Sequence, residues 1–262
     1  MKIKTKKNKE NNSSILKVKP FIRLLKRIHL GGIIDEFVFQ FKNNDAIVES
    51  IDLTNSIIVF SNETILKSSL GNLKLGFGNV EVLLKFLSTI PDSQILIENQ
   101  NNKLIFKRKD SKRSLIYLIK DPEVIPGALR DNEKKEDFLD LQEYSIPLNQ
   151  VVVKDILSYI SSLKTKTVTI NYNRKDGVEF VCGDKNEHQL KIVIDDNIKK
   201  IDRDASKNIS ISINGEFLSK ILNVLEFDET DNPILYFANE NPIVVQSQNT
   251  YWALKPIMEE KS

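Results

Sequence analysis

The feature that most constrains this chain is a pattern of elements that runs through it twice. Over residues 15–30 the apolar side chains Leu16, Phe21, Leu24, Leu25 and Ile28 recur at helical spacing. Pro20 falls in the first turn, where its missing N–H removes no intrahelical bond. Gly31-Gly32 stops the helix. Short runs rich in β-branched and aromatic residues follow as predicted strands: Phe37–Phe41, Ala46–Val48, Ser56–Phe60 and Leu73–Phe77. Asn79–Ile90 returns to a helical period, with Val80, Leu83, Leu84 and Leu87 on one face. Gln94–Ile97 and Lys103–Phe106 make a predicted hairpin, and Leu115–Ile119 one more strand.

From Asn149 the order repeats. A helix over 149–163 gathers Val152, Val153, Ile156, Leu157 and Ile160. Strands are predicted at Val168–Tyr172, Val178–Cys182, Leu190–Ile194 and Ile209–Ile213, a second helix over 215–225, and closing strands at Pro233–Phe237, Pro242–Val245 and Tyr251–Leu254. A chain of 262 residues is long for one domain and comfortable for two. The sequence therefore predicts an α+β fold of two similar domains, each with sheets covered on one face by helices. The expected boundaries are a disordered basic tail over 1–14, a first domain over 15–120, a Pro- and charge-rich connector over 121–142 and a second domain over 143–262.

Several function classes receive no support. No apolar run reaches the roughly 18–20 residues of a membrane helix, and no signal peptide is recognisable. The single cysteine, Cys182, excludes an intrachain disulfide and fits a reducing compartment. It follows a strand-like run and reads as a packed side chain rather than a nucleophile. His29 and His188 lie in no metal-ligand spacing. There is no glycine-rich phosphate loop, nucleophile elbow or dinucleotide fingerprint. Asp195-Asp196 reads as a solvated loop before Lys199-Lys200. No catalytic residue, metal or cofactor is expected.

The net charge is only +2, from 38 cations and 36 acids, but the cations are unevenly placed. The opening helix carries Lys17, Lys19, Arg23, Lys26 and Arg27, with His29, and no acid. The helix at 149–163 carries Lys154, with Lys164 and Lys166 just beyond it, while Lys85 and Lys220 stand beside Glu81 and Glu216. Two readings are open: solvated helix faces, or faces that bind the phosphate backbone by counterion release without reading sequence. Phe138, Leu139 and Leu141 near the end of the connector also admit two readings, a linker docked on the body or part of a pocket for a partner peptide.

Four short motifs, in order, resemble the PCNA-type DNA sliding clamps of eukaryotes, archaea and viruses, including the smaller clamps of T-even phages. Ser50-Ile51-Asp52 is similar to the loop closing the first strand pair of these clamps. Gln142-Glu143-Tyr144-Ser145 resembles the end of their interdomain connector, and Lys175–Phe180 a hairpin turn of the second domain. Asn241–Val245 followed by Tyr251–Leu254 resembles the last two strands and tail. The match of element order spans about residues 15–258. The chain departs from the pattern in its extra basic tail, in Lys255-Pro256-Ile257 and in its heavily charged connector.

The resemblance implies a non-enzymatic processivity factor: a homotrimeric ring of six domains with helices lining a central hole and sheets outside. Its partners would be double-stranded DNA, held without sequence preference, a DNA polymerase and an ATP-driven clamp loader, at the replication fork inside the cell. The Lys-, Asn- and Ile-rich composition fits an AT-rich genome such as a virus or phage has, which would put the work in the host cytoplasm. By position the DNA-facing residues would be the helix cations named above. The partner groove would involve Ile51, Ile58, Phe138, Leu139, Pro242, Trp252 and Leu254. Two alternatives stand beside it: a monomeric two-domain processivity subunit that grips DNA electrostatically, and a structural or regulatory protein with no DNA role.

Overall fold

The computed structural model describes residues 13–91, 93–100, 102–108, 112–125, 135–183, 188–195, 197–202, 205–227 and 232–257. Most of the predicted basic tail, the middle of the connector, Asp196 and the acidic Glu259-Glu260 end lie outside these residues. The chain forms two compact units, one from residues 1–49 and 62–128, the other from 50–61 and 129–262. The expected break near 120–142 therefore falls within the connector, and Ser50–Ser61 joins the second unit rather than the first.

In the first unit the elements are β1 (Ser13–Lys17), α1 (Val18–His29), β2 (Phe37–Lys42), β3 (Asp45–Ile51), β4 (Ile57–Thr64), β5 (Leu73–Phe77), α2 (Val80–Ser88), β6 (Gln94–Gln100), β7 (Lys103–Lys107) and β8 (Ser114–Leu118). A short connector helix, α3 (Lys135–Leu139), opens the rest. The second unit continues with β9 (Tyr144–Pro147), α4 (Gln150–Leu163), β10 (Thr167–Asn173), β11 (Gly177–Cys182), β12 (Leu190–Ile194), β13 (Lys199–Lys200), β14 (Asn208–Asn214), α5 (Gly215–Asn223), β15 (Ile234–Phe237), β16 (Ile243–Ser247) and β17 (Thr250–Leu254).

The two series match element for element once the two-residue β13 is set aside. They also match in pairing. In the first unit β1 pairs with β6, β6 with β7 and β7 with β8, while β2 pairs with β3 and β5. In the second β9 pairs with β15, β15 with β16 and β16 with β17, while β10 pairs with β11 and β14, and β11 with β12. All of these pairs are antiparallel. The duplication read from hydrophobic period is thus a duplication of topology.

Each core joins its two sheets through aromatic rings. In the first unit Phe21 of α1 lies 5.9 Å from Phe39 of β2 and 6.4 Å from Phe106 of β7, and Phe39 meets Phe77 edge-on at 4.7 Å. In the second Tyr144 of β9 lies 4.3 Å from Tyr172 of β10 and 5.7 Å from Phe237 of β15. The helices pack pairwise, α1 on α2 and α4 on α5. α4 is capped as its sequence suggests: Asn149 accepts from the Val152 N–H at 2.8 Å. α1 departs from expectation. It begins at Val18, because Ser13–Lys17 is drawn into β1 by pairing with β6. Pro20 still falls in its first turn.

Almost every sheet edge is closed by the chain itself. β1 is covered by residues 65–67, through Lys17 N–H to Ile65 O at 2.8 Å and Lys67 N–H to Ile15 O at 2.9 Å. β5 exchanges hydrogen bonds between Gly76 and Lys120. β14 is covered by the C-terminal strap, where Ile257 N–H reaches Ser212 O at 2.7 Å. β9 is edged by the exposed, doubly charged β13. β17 pairs along its whole length with β4, Ile57 opposite Leu254 and Ser61 opposite Thr250. That pairing draws Ser50–Ser61 into the second unit. The outer edges of β8 and β12 have no partner strand among the described residues.

Gly177 illustrates how tightly a turn is specified. Its φ is +84°, and a Cβ there would stand 2.5 Å from Ile194 O. Gly177→Ala should destabilise the second unit by about 1–3 kcal/mol, read as a lower midpoint in urea without change of secondary structure.

Candidate functional site

The cations of α1 divide by helical face. Phe21, Leu24, Leu25 and Ile28 are buried, which turns Lys19, Arg23 and Lys26 outward in one stripe at spacings of four and three. The helix carries no acid. Arg27 falls on the core side: it is 1% exposed and holds Glu63 of β4 at 2.6 Å. His29 is likewise buried, with Nε2 3.0 Å from Asp35. Lys17 lies in β1 and donates to Thr64 O at 3.3 Å. Of the five cations expected to meet phosphate, Arg27 is internal and Lys17 is a strand residue. The sequence hid this because Glu63 is 36 residues away.

On the other helices the cations stand close to acids. Lys85 of α2 is exposed but paired with Glu81 at 2.8 Å, and that lysine holds the Glu81 carboxyl below the usual range. Lys154 of α4 is exposed beside the equally exposed Asp155. Lys220 of α5 is partly exposed, one turn from Glu216. Lys164 caps α4 in the left-handed conformation and, with Lys166, is exposed beyond its end. A net positive face among the helices is therefore concentrated on α1.

The expected partner residues separate by strand alternation. One face of the sheet β4–β17–β16–β15 gathers Ile58, Phe60, Ala253 and Val244, with Tyr251 and Tyr236 at its margin. The register explains the set: Ala253 stands opposite Ile58 on one side and Val244 on the other, and Tyr251 opposite Phe60. Ile51, Phe138 and Leu139 pack on this face. Trp252 and Leu254 are corrected: each is 0% exposed and points to the opposite, core side of β17. Successive residues of a strand face opposite ways, so Trp252 cannot share a surface with Tyr251. Phe60, Tyr236, Tyr251, Val244 and Ala253 were missed. Period-two alternation starting from Ile58 would have found Phe60, but the others need the β17–β4 register.

Two local devices shape the rim of the face. Asp52 organises its loop by accepting from the N–H groups of Thr54 at 3.0 Å, Ser56 at 2.6 Å and Ile57 at 2.6 Å, and from the Thr54 hydroxyl. The loop presents Leu53, 82% exposed. Across the face, α3 lays Phe138 against Phe60, with ring centroids 5.8 Å apart, and sets the Lys135 ammonium 5.1 Å from the Tyr251 ring centre. Gln142 anchors the end of the connector, its Nε2 donating to Phe138 O at 2.7 Å and to Pro242 O at 3.0 Å. Pro242 thus contributes a backbone acceptor and a partly exposed ring.

Burial pushes the Cys182 thiol up to about 11, which leaves it neutral and unreactive near pH 7. Among the described residues no group of three or more His, Cys, Asp or Glu side chains is placed to hold a metal, and no helix is long and apolar enough to cross a membrane.

The topology is that of a DNA sliding clamp. The structure matches proliferating cellular nuclear antigen from Entamoeba histolytica with a TM-score of 0.72 at 14% identity, covering 94% of this chain and 98% of that one. It matches A. fulgidus PCNA, solved with the C-terminal region of FEN-1, with a TM-score of 0.71 at 12% identity over 95% and 99%. The H. pylori beta clamp matches at 0.69 and 15% identity; this chain is covered over 95% but spans only 64% of that protein. No family model and no curated protein matches the sequence. At these identities the likeness is one of fold, and the fold is the PCNA-type clamp fold.

The split among the α1 cations makes a direct prediction. Arg27→Ala should destabilise the first unit by about 3–5 kcal/mol, since Glu63 would be left without its buried ion-pair partner. Lys26→Ala, on the exposed stripe, should change stability by less than about 0.5 kcal/mol. Urea melts of the two variants separate the internal cation from the outward one.

Proposed function

We propose that this chain is a DNA sliding clamp, a non-enzymatic factor that closes into a ring around duplex DNA and tethers a replicative polymerase. The observation that carries the proposal is the pair of open sheet edges. By the duplication, β8 is the counterpart of β17, and β12 the counterpart of β4. Within one chain β17 and β4 pair antiparallel over five residues. The same pairing between β8 of one copy and β12 of the next would repeat that junction from chain to chain. Apolar side chains at both edges favour it: Ile116 and Leu118 are 58% and 67% exposed on β8, and Val193 is 57% exposed on β12. Such a contact is head-to-tail and must close to avoid an open filament. Two domains per chain and six per clamp ring give a homotrimer.

In that ring the helices would face the duplex, and the stripe Lys19, Arg23 and Lys26 would provide the main phosphate contact from each chain. Topological closure supplies retention, so the contacts can be few and mobile, and a net charge of +2 suffices. The apolar face beside the connector would receive the polymerase and an ATP-driven clamp loader. Partner segments are present on two of the similar structures, the FEN-1 C-terminal region on A. fulgidus PCNA and a DNA ligase peptide on the H. pylori beta clamp. The work would be done inside the cell, at the replication fork. The concentration of positive charge on one helix also favours a second reading, a monomeric processivity subunit that grips DNA by charge alone.

Light scattering separates the two. A ring has about three times the 30.0 kDa chain mass; a particle of one chain mass sinks it. Ile116→Lys with Leu118→Lys should return the trimer to single chains with an unchanged circular dichroism spectrum. On the DNA side, Lys19→Ala, Arg23→Ala and Lys26→Ala together should lower processivity on primed circular DNA and flatten the salt dependence of DNA binding by up to about three units of log–log slope. The triple Lys85→Ala, Lys154→Ala and Lys220→Ala should change the slope by less. Equal effects of the two sets would contradict the assignment to α1.

A further inference from the structure

We propose that the connector helix α3 is a releasable cover on the apolar face, an autoinhibitory contact that must lift before the face can take another segment. The inference rests on the reading of that face as a docking surface, and it adds that the chain occupies the surface itself. Ile58, Phe60, Val244 and Ala253 are nearly inaccessible, and the side chains packed over them include Phe138 and Leu139 from the connector. The occupant is thus an adjacent aromatic and aliphatic pair on a single helical turn.

The cover is weak by construction. α3 has five residues, none of them fully buried, and a helix that short has no stability of its own in water. Its shape depends on docking. The docking consists of one tilted ring contact from Phe138 to Phe60, the partly buried Leu139, and the Lys135 ammonium over Tyr251. The sheet beneath is a continuous antiparallel ladder from β4 through β17 and β16 to β15. The two layers therefore have very different resistance to opening.

Gln142 is placed as the hinge pin. It is 2% exposed, and both acceptors of its Nε2 are carbonyl oxygens, which fixes the amide orientation. Its bond to Phe138 O ties down α3, whereas its bond to Pro242 O ties the connector end to the body. Beyond it the chain is held by Glu143 N–H to Phe237 O at 3.2 Å. The Gln142 Oε1 is buried with no hydrogen-bond partner. A buried acceptor left unmet disfavours the docked state relative to one in which water reaches it. Lifting α3 can break the Phe138 bond, admit water to Oε1 and leave the Pro242 bond intact.

Two measurements on the full chain test this. In native-state hydrogen exchange, the Asp140 and Gln142 amides, bonded to Glu136 O and Leu139 O, should exchange at least a hundredfold faster than the Val244 and Ala253 amides in the sheet. Exchange of all four at one common rate would show that α3 opens only with the sheet, and would overturn the proposal. In the second, a fluorescein-labelled peptide copying residues 135–143 is titrated by anisotropy. It should bind the Phe138→Ala, Leu139→Ala double variant at least tenfold more tightly than the unmodified protein. The same peptide with both apolar residues changed to Ala should bind neither. Equal binding to variant and unmodified protein, or no binding to a variant whose thermal midpoint is retained, would overturn the exchange of one occupant for another. Neither readout involves polymerase, loader or DNA. Failure of the cover is therefore distinguishable from failure of the docking surface, which would show as a partner that binds elsewhere.

Discussion

The antiparallel pairing of β17 with β4 is the constraint on which the rest of this structure hangs. It joins residues almost 200 positions apart, and Ser61 and Thr250 add a buried side-chain hydrogen bond at 2.9 Å. Because unpaired strand edges are costly when dry and adhesive when wet, a duplicated sheet protein must dispose of every edge. This chain disposes of β1, β5, β9 and β14 with short local coverings, and of β17 with a full strand. The counterparts of that last junction, β8 and β12, are left open with apolar side chains. A single pairing rule, used once inside the chain, thus supports the proposal of how copies meet.

The same pairing creates the apolar face. Ile58 and Phe60 come from β4, Ala253 and Tyr251 from β17, and neither strand alone presents a patch. Register decides membership: a slip of one residue would bring Trp252 and Leu254 to this face and send Ala253 to the core. The wide, flat surface that results suits a segment laid across it, and α3 is such a segment.

Much of the fold was legible because hydrophobic period is local. The helices at 149–163 and 215–225 and the strands of both halves emerged within a residue or two, since each needs only neighbours up to four positions away. β1 and β9 were not seen. They are short, and β1 becomes a strand only by pairing with β6; its apolar Leu16 fits a helical period equally well. The grouping of Ser50–Ser61 with the second unit was invisible for the same reason, being the consequence of a non-local pair. Among site residues, the outward cations Lys19, Arg23 and Lys26 were legible as a stripe. The inward position of Arg27 was not, because it depends on Glu63. Trp252 was misplaced for a different reason: a large aromatic near the chain end drew attention by type, while alternation along β17 assigns it to the core. Phe138 and Leu139 were read with two roles open, and the structure shows the docked one.

Charge and topology divide the labour differently here than in a protein that binds DNA as an open surface. A protein that relies on phosphate contact alone needs many cations, and its affinity falls steeply with salt. This chain places three outward cations on one helix and sets acids near those of the other helices. That distribution is too sparse for tenacious binding by a single copy, yet it suits a body that is retained by closure and must still slide. The sparse stripe and the open edges therefore belong to one argument: the fewer the phosphate contacts, the more retention must come from β8 meeting β12. Strengthening the stripe would relax the need for closure and, by adding contacts that must break at each step, slow the sliding that closure makes possible.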